Sequence, residues 1–302
     1  MRIAYLVFAY KNPKLLNRTI GRLTCEDVSF FIHIDSKADI NQFASIQGGN
    51  ITFAEKRIPV YWAEFSGVEA ILLLIRQALA AGRRYDYFAL LSGSEYLLRS
   101  REYIHSFLES NRGSEFINCV KMPNAAAGKP ISRIATIRFP STRPVARFAV
   151  RVLAKAGLAQ RDYRKYLGNL EPYGGNTWWT LTREACEYIS DFDRSNPHVA
   201  AYFGKVFSPE EYFIHTILGN SPFRQRMRRS LVFEDWSTEG GHPAMIGENH
   251  IAFFESQEKV SVNDVHGPGE MLFARKFSDD NLALISRVNE MIQRKERQYS
   301  VV

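Results

Sequence analysis

The first 120 residues alternate short apolar runs with segments whose apolar residues recur at helical spacing, and this alternation constrains the fold more than any other feature of the chain. "RIAYLVFA" at 2–9 is a continuous apolar run, the pattern of a strand buried on both faces. "NPKLLNRTIGRL" follows, with Leu15, Leu16, Ile20 and Leu23 on one helical face. "VSFFIHID" is a second buried run that ends at Asp35, and a third short strand within 51–62 leads to Tyr61 and Trp62. "SGVEAILLLIRQALAAG" predicts a helix capped by Ser66, with Glu69 completing S-x-x-E and Gly82 stopping it. "YDYFALLSG" predicts a strand, "REYIHSFLESN" a helix and "SEFINCV" a strand. Such alternation predicts an α/β fold, a mostly parallel sheet with helices on both faces. Ligands of such sheets sit beyond the carboxyl ends of the strands. Those ends carry Tyr10–Lys11, Asp35–Lys37, Trp62 and Ser92–Glu95.

The stretch from 121 to 170 has a different character. It holds Lys121, Lys129, Arg133, Arg138, Arg143, Arg147, Arg151, Lys155, Arg161, Arg164 and Lys165 with few acids. This is either a solvated basic surface or a collar for an anionic ligand, acceptor or membrane. The whole chain carries a net charge of +7, which suits nucleotides, a membrane surface or nucleic acid. No helix-turn-helix or zinc-finger spacing accompanies it, so nucleic acid is not expected. Three cysteines, Cys25, Cys119 and Cys186, are odd in number and far apart, which favours a reducing compartment over structural zinc. The N-terminal run lacks signal-peptide features, and no apolar stretch approaches about 20 residues. The expected location is cytoplasmic, with peripheral contact to the inner face of the membrane left open. No internal repeat or Gly/Ser linker divides the chain.

Few constellations carry chemistry. Neither GxxxxGK[ST] nor GxGxxG occurs, nor HExxH, nor GxSxG. Cys119 and Cys186 fall in strand and helix patterns and read as core residues, as does His33 in "FFIHID". Ser94-Glu95-Tyr96 stands at a strand end with one carboxylate, where a metal held through substrate phosphates wants one or two. "FARKF" offers Arg275 and Lys276; adjacent strand residues point to opposite faces, so one of the two cations turns inward. Trp178 and Trp179 either stack on a sugar or fill the core, and His242 lies in a Gly-rich loop. "FSPEEYFIHTIL" at 207–218 predicts a helix with Ser208 as N-cap, Pro209 at the first position and Glu211 at N3, a capping box. Glu211 either caps that helix or does chemistry.

Eight segments taken in order resemble glycosyltransferase family 14, the core-2/I-branching β-1,6-N-acetylglucosaminyltransferases and peptide O-xylosyltransferases. They are "IAYLVFAYKNP", "FFIHIDSKAD", "VYWAEFSGVEAIL", "YDYFALLSGSEYLLRS", "GGNTWWTLTREACEYI", "FSPEEYFIHTILGNSPF", "DWSTEGGHP" and "LFARKF". The resemblance is to compact bacterial-type members. It implies a GT-A-type, Rossmann-like mixed sheet flanked by helices. It also implies a single catalytic domain over 1–302, with a nucleotide-binding half at 1–120 and an acceptor and catalytic half at 121–302. A UDP-sugar donor, inversion at the anomeric carbon and independence from a metal or other cofactor are implied as well. By position Glu211 is the general base. Lys276 binds the diphosphate, with Arg275 or a residue of the 129–151 cluster as the second cation, because "ESQEKVSVNDVHGPGE" departs from the family there. Tyr10, Asp35, Lys37, Ser92 and Gly93 are expected to face the donor, and Trp178, Trp236 and His242 the acceptor.

The expected function is therefore inverting transfer from a UDP-sugar, UDP-N-acetylglucosamine first and UDP-xylose second, to a hydroxyl of a glycan, polysaccharide or glycolipid. The alternative of another class is a non-enzymatic protein that holds a polyanion or membrane through residues 121–165. A capping box accepts Gln as well as Glu, so Glu211→Gln separates a structural from a chemical role.

Overall fold

The computed structural model describes residues 1–142, 144–155, 157, 159–238 and 242–299. Among them the strands are, in chain order, β1 (Ile3–Ala9), β2 (Val28–Ile34), β3 (Ile51–Phe53), β4 (Tyr87–Ser92), β5 (Tyr96–Leu97), β6 (Glu115–Lys121), β7 (Tyr173–Thr182), β8 (Met227–Arg228), β9 (Val232–Glu234), β10 (Ser261–Asp264), β11 (Gly267–Glu270) and β12 (Phe273–Arg275). Seven form one sheet in the order β3-β2-β1-β4-β7-β6-β8. The first four run parallel, as the alternation of strand and helix predicts. Parallel neighbours need crossovers, and helices Pro13–Leu23 and Ser66–Ala80 supply two of them. The second helix buries Val68, Ile71, Leu72, Leu74, Ile75 and Ala78, the spacing of one helical face.

The sheet is mixed, as the resemblance implies, with four pairings parallel, β6–β8 among them, and two antiparallel. β7 inserts between β4 and β6 and runs antiparallel to both, so β6 is not a neighbour of β4. Strands from both halves of the chain thus share one sheet and one hydrophobic core. Beside it, β12 joins β5 and β9 in a small sheet, and β10 pairs with β11 in a hairpin within the 255–270 stretch.

Two expected caps do not form. Phe65 holds the N-cap position before Ser66, and the Ser66 hydroxyl instead accepts from the Tyr61 N–H at 2.9 Å. Ser208 adopts φ 52° and makes no side-chain cap; Pro209–Glu211 form a single 3-10 turn, and the α-helix begins anew over Phe213–Gly219. The Ser208 N–H, which a capping box would aim at Glu211, donates to Ala63 O at 3.1 Å. The terminal helix runs over Leu282–Tyr299. Asp279 serves a different helix: its carboxylate accepts from the Leu15 and Lys14 N–H groups at 2.6 and 3.2 Å, meeting orphan donors at the start of Pro13–Leu23.

Candidate active site

The chain passes from β1 outward through β2 and β3 and returns to β4 on the other side of β1. Strand order reverses between β1 and β4, the place where open α/β sheets leave a crevice beyond their carboxyl ends. Packing there is close. A Cβ on Gly93 would lie 2.8 Å from Lys11 O and 3.3 Å from Ala9 Cβ, so the turn after β4 requires glycine. The Asp35 N–H donates to Ala9 O at 2.9 Å, tying the end of β2 to that of β1. Tyr10 is 61% exposed at this edge, with Lys11 Nζ 5.3 Å from its ring. The buried Asp35 carboxylate accepts from the Lys37 N–H at 2.9 Å and pairs with Lys37 Nζ at 3.0 Å. Lys37 also donates to Val60 O and lies 4.3 Å from the Tyr61 ring centre.

The two cations after β11 differ in their surroundings. Arg275, in β12, pairs with Glu95 at 2.7 Å and Glu234 at 3.0 Å, both carboxylates being buried. Ser92 donates to the same Glu95 from its N–H and hydroxyl. Arg275 and Glu95 therefore meet each other, and neither is presented as an unmatched charge. Lys276 lies just past the strand and has no side-chain hydrogen bond or ion pair with any described residue. Its backbone is held by Ala244 O and the Ile246 N–H, while Phe277 N–H donates to Ser94 O at 2.9 Å. Burial, then the cations of Arg275 and Lys11, pull the Lys276 ammonium below its ordinary value. A second cation, Lys11, thus stands within electrostatic reach of Lys276. Sequence reasoning placed Lys11 at a strand end without giving it this part, because its nearness to Lys276 spans 265 positions of chain.

Glu211 sits beside the start of β7. A Cβ on Gly174 would meet the Tyr212 ring at 2.9 Å and Glu211 O at 3.4 Å, so the glycine pair of "GGNTWW" lets this turn lie against the sheet. The Glu211 carboxylate pairs through Oε2 with Lys129 Nζ. Lys129 is itself buried, 5.3 Å from the Tyr212 ring centre, and comes from a short turn closed by the Asn124–Lys129 bridge. The adjacent Glu210 has the opposite environment. Its Oε2 is buried with no hydrogen-bond partner among the described residues. Burial, with the charge of Glu211 adding to it, pushes the Glu210 carboxyl up to about 8. Glu210 is thereby held neutral at pH 7 while its neighbour Glu211 lies beside a cation, a separation of environments of the kind that gives paired carboxyls different roles. The basic 121–165 stretch was legible in sequence, but nothing in it singled out Lys129.

The residues expected to meet an acceptor separate. Trp178 is 5% exposed, stacked on Phe8 at 5.6 Å with the Arg275 guanidinium 4.3 Å above its ring. Both faces are covered, so Trp178 is a core residue rather than a sugar platform. Trp179, at 2%, is core as well. Trp236 is 51% exposed after β9. His242 is exposed, beside residues 239–241, which lie outside the described residues. Trp62, at 77%, stands against Phe207 next to the Glu211 turn. His33 is fully buried and accepts from the Ile58 N–H at 2.8 Å, a core histidine as its pattern implies. Cys186 is fully buried, while Cys119 is partly buried with its thiol pushed up to about 12 by burial. Of the basic stretch, Arg143 and the side chains of Arg147, Arg151 and Lys155 lie outside the described residues.

Comparison with known proteins adds a family. A family model described as Core-2/I-Branching enzyme matches residues 3–258. Xylosyltransferase 2 of Homo sapiens is 25% identical over 295 residues, covering 92% of this chain and 32% of that protein. Xylosyltransferase 1 of Canis lupus familiaris is 24% identical over 250 residues, covering 80% of this chain and 25% of that protein. The chain thus spans a third or less of the length of these relatives. Among solved structures, the 4-diphosphocytidyl-2C-methyl-D-erythritol synthase of Anaerococcus prevotii aligns with a TM-score of 0.31 at 10% identity, over 64% of this chain and 74% of that one.

Proposed function

The chain belongs to the Core-2/I-Branching enzyme family, and from that premise we propose that it is an inverting glycosyltransferase that moves a sugar from a UDP-sugar to a hydroxyl of a glycan, polysaccharide or glycolipid. The observation that carries this is Lys276: a partly buried ammonium without a partner among the described residues, beside Lys11 and Arg275 at the edge where the strand order reverses. Repulsion from its neighbours is relieved when an anion arrives, so the crevice suits a diphosphate.

In this mechanism Lys276 and Lys11 neutralise the charge that develops on the departing UDP, work that another enzyme gives to a divalent ion. Arg275, matched by Glu95 and Glu234, holds the floor of the crevice rather than the phosphates. Tyr10, Asp35, Ser92 and Gly93 flank the donor, and Trp236 and His242 the acceptor. An acceptor hydroxyl has a pKa far above 7, so its proton must leave as the new bond forms. Glu211 takes that proton. Lys129 engages Oε2, which leaves Oε1 for the hydroxyl and holds the carboxylate in one orientation. The hydroxyl attacks opposite to the leaving UDP, the configuration inverts, and no covalent sugar–enzyme intermediate is required.

The relatives' names bring UDP-xylose forward as a donor to stand with UDP-N-acetylglucosamine. The test is UDP release from a panel of UDP-sugars, with and without EDTA. Release that survives EDTA is expected. Abolition by EDTA would overturn the metal-free mechanism, and no release from any UDP-sugar would favour a polyanion-binding protein.

A further inference from the structure

The helix Pro144–Lys155 exposes Val145 (82%), Phe148 (69%) and Val152 (54%) to solvent, with Ala149 exposed between them. Their spacing of i, i+3, i+4 and i+7 is one face of a helix. Val150, roughly opposite on the wheel, is 9% exposed and faces the protein body. The helix therefore rests on its neighbours by one side and turns a continuous apolar stripe outward. The sequence of this helix also carries Arg147, Arg151 and Lys155 and no acid. The surrounding stretch 121–170 has eleven Lys and Arg against one acid, Asp162.

We propose that this helix is an interfacial anchor that lies on an anionic lipid surface, its stripe in the acyl boundary and its cations at the headgroups. Apolar residues on one face with Lys and Arg beside them are the composition of such anchors. Burying Phe148 and the two valines supplies apolar transfer, and each cation adds attraction to anionic headgroups. A second copy of the chain fits this face less well, because pairing two copies of it would bring two strongly basic segments together. The helix is fixed at its base. Ile137 N–H donates to Ala159 O at 2.9 Å, Arg161 N–H to Ala135 O at 2.7 Å and Arg138 N–H to Lys205 O at 2.8 Å. Ser141 N–H donates to Glu64 Oε1 at 2.6 Å, and the neighbouring Ala63 O accepts from Ser208, three residues before Glu211. Lipid binding here would hold the Glu211 turn close to the membrane surface, although the anchor depends on neither the donor nor Glu211.

The experiment is flotation of the full chain with vesicles of phosphatidylcholine alone and with vesicles that also contain phosphatidylglycerol. The chain is expected to float only with the anionic vesicles, and less as salt is raised. Phe148→Ser is expected to weaken partitioning about tenfold or more, and Arg151→Gln about fivefold. Should Phe148→Ser lower the Tm, Val145→Ser provides the same test at a more exposed position. Equal binding to both vesicle types, or undiminished binding of both serine variants, overturns the proposal. So does a wild-type dimer in sedimentation that becomes monomeric in Phe148→Ser, which would assign the face to a second copy.

Discussion

Replacing Glu210 by Gln should make the protein more stable at neutral pH, against the ordinary expectation for a buried substitution. In the fold the Glu210 carboxyl keeps its proton up to about pH 8, whereas the ordinary value is 4.5. Between those limits the folded state binds one proton more than the unfolded chain, so stability falls as pH rises, by about 1.4 kcal/mol per unit. The favourable part is fully present below pH 4.5 and is lost as pH climbs through 8. At pH 7 the accumulated cost is at most roughly 3 kcal/mol, less if one water reaches Oε2. Gln has the same shape and no proton to lose, so it escapes that cost. Its amide enters a position where Oε2 already lacks a partner, which returns part of the gain. The net expectation is a Tm roughly 5 °C above wild type at pH 7, a larger gap at pH 8, and a Tm slightly below wild type at pH 4.5, where only the cost of the amide remains. Thermal unfolding of both proteins from pH 4.5 to 8.5 measures it. Parallel stability curves across that range would mean that Glu210 is ionised in the fold, and the separation of the two adjacent acids would be lost with it.

Glu211→Gln is expected to lower kcat by roughly 10²–10⁴-fold. Because it pairs with the buried Lys129 instead of capping a helix, it should also cost about 1–2 kcal/mol of stability, read as a small fall in Tm; unchanged turnover refutes its role as base. Lys276→Met should reduce kcat/KM for the UDP-sugar by roughly 10²-fold and weaken UDP binding in calorimetry, while Arg275→Met should chiefly lower the Tm, since it strands Glu95 and Glu234 without their cation. Gly175→Ala places a Cβ 1.5 Å from Asn118 O and should cost several kcal/mol or prevent folding. Gly21→Ala, in a helix with nothing within 4 Å, should gain up to about 1 kcal/mol; denaturant midpoints decide both.

Strand and helix positions through residue 120 were legible because apolar periodicity is a local signal, imposed by the burial of one face at a time. β1, β2 and β4 follow their continuous apolar runs almost to the residue, and His33 reads as core from its neighbours alone. The order of the segments was enough to suggest the family. Sequence could not show that β7 would enter the sheet between β4 and β6, since antiparallel pairing across about 50 or more residues leaves no mark on local pattern. For the same reason it misjudged the caps at Ser66 and Ser208: a hydroxyl or N–H goes to whichever partner the tertiary fold brings nearer, here Tyr61 and Ala63. The matching of charges was decided in the same way. Arg275 and Lys276 are neighbours in "FARKF" and equivalent as letters, yet only the packing of β4, β9 and β12 gives one of them two carboxylates and the other a second cation. Residue types set which chemistry the chain can offer; distances between remote segments set which of those groups has its charge answered within the protein and which meets a substrate.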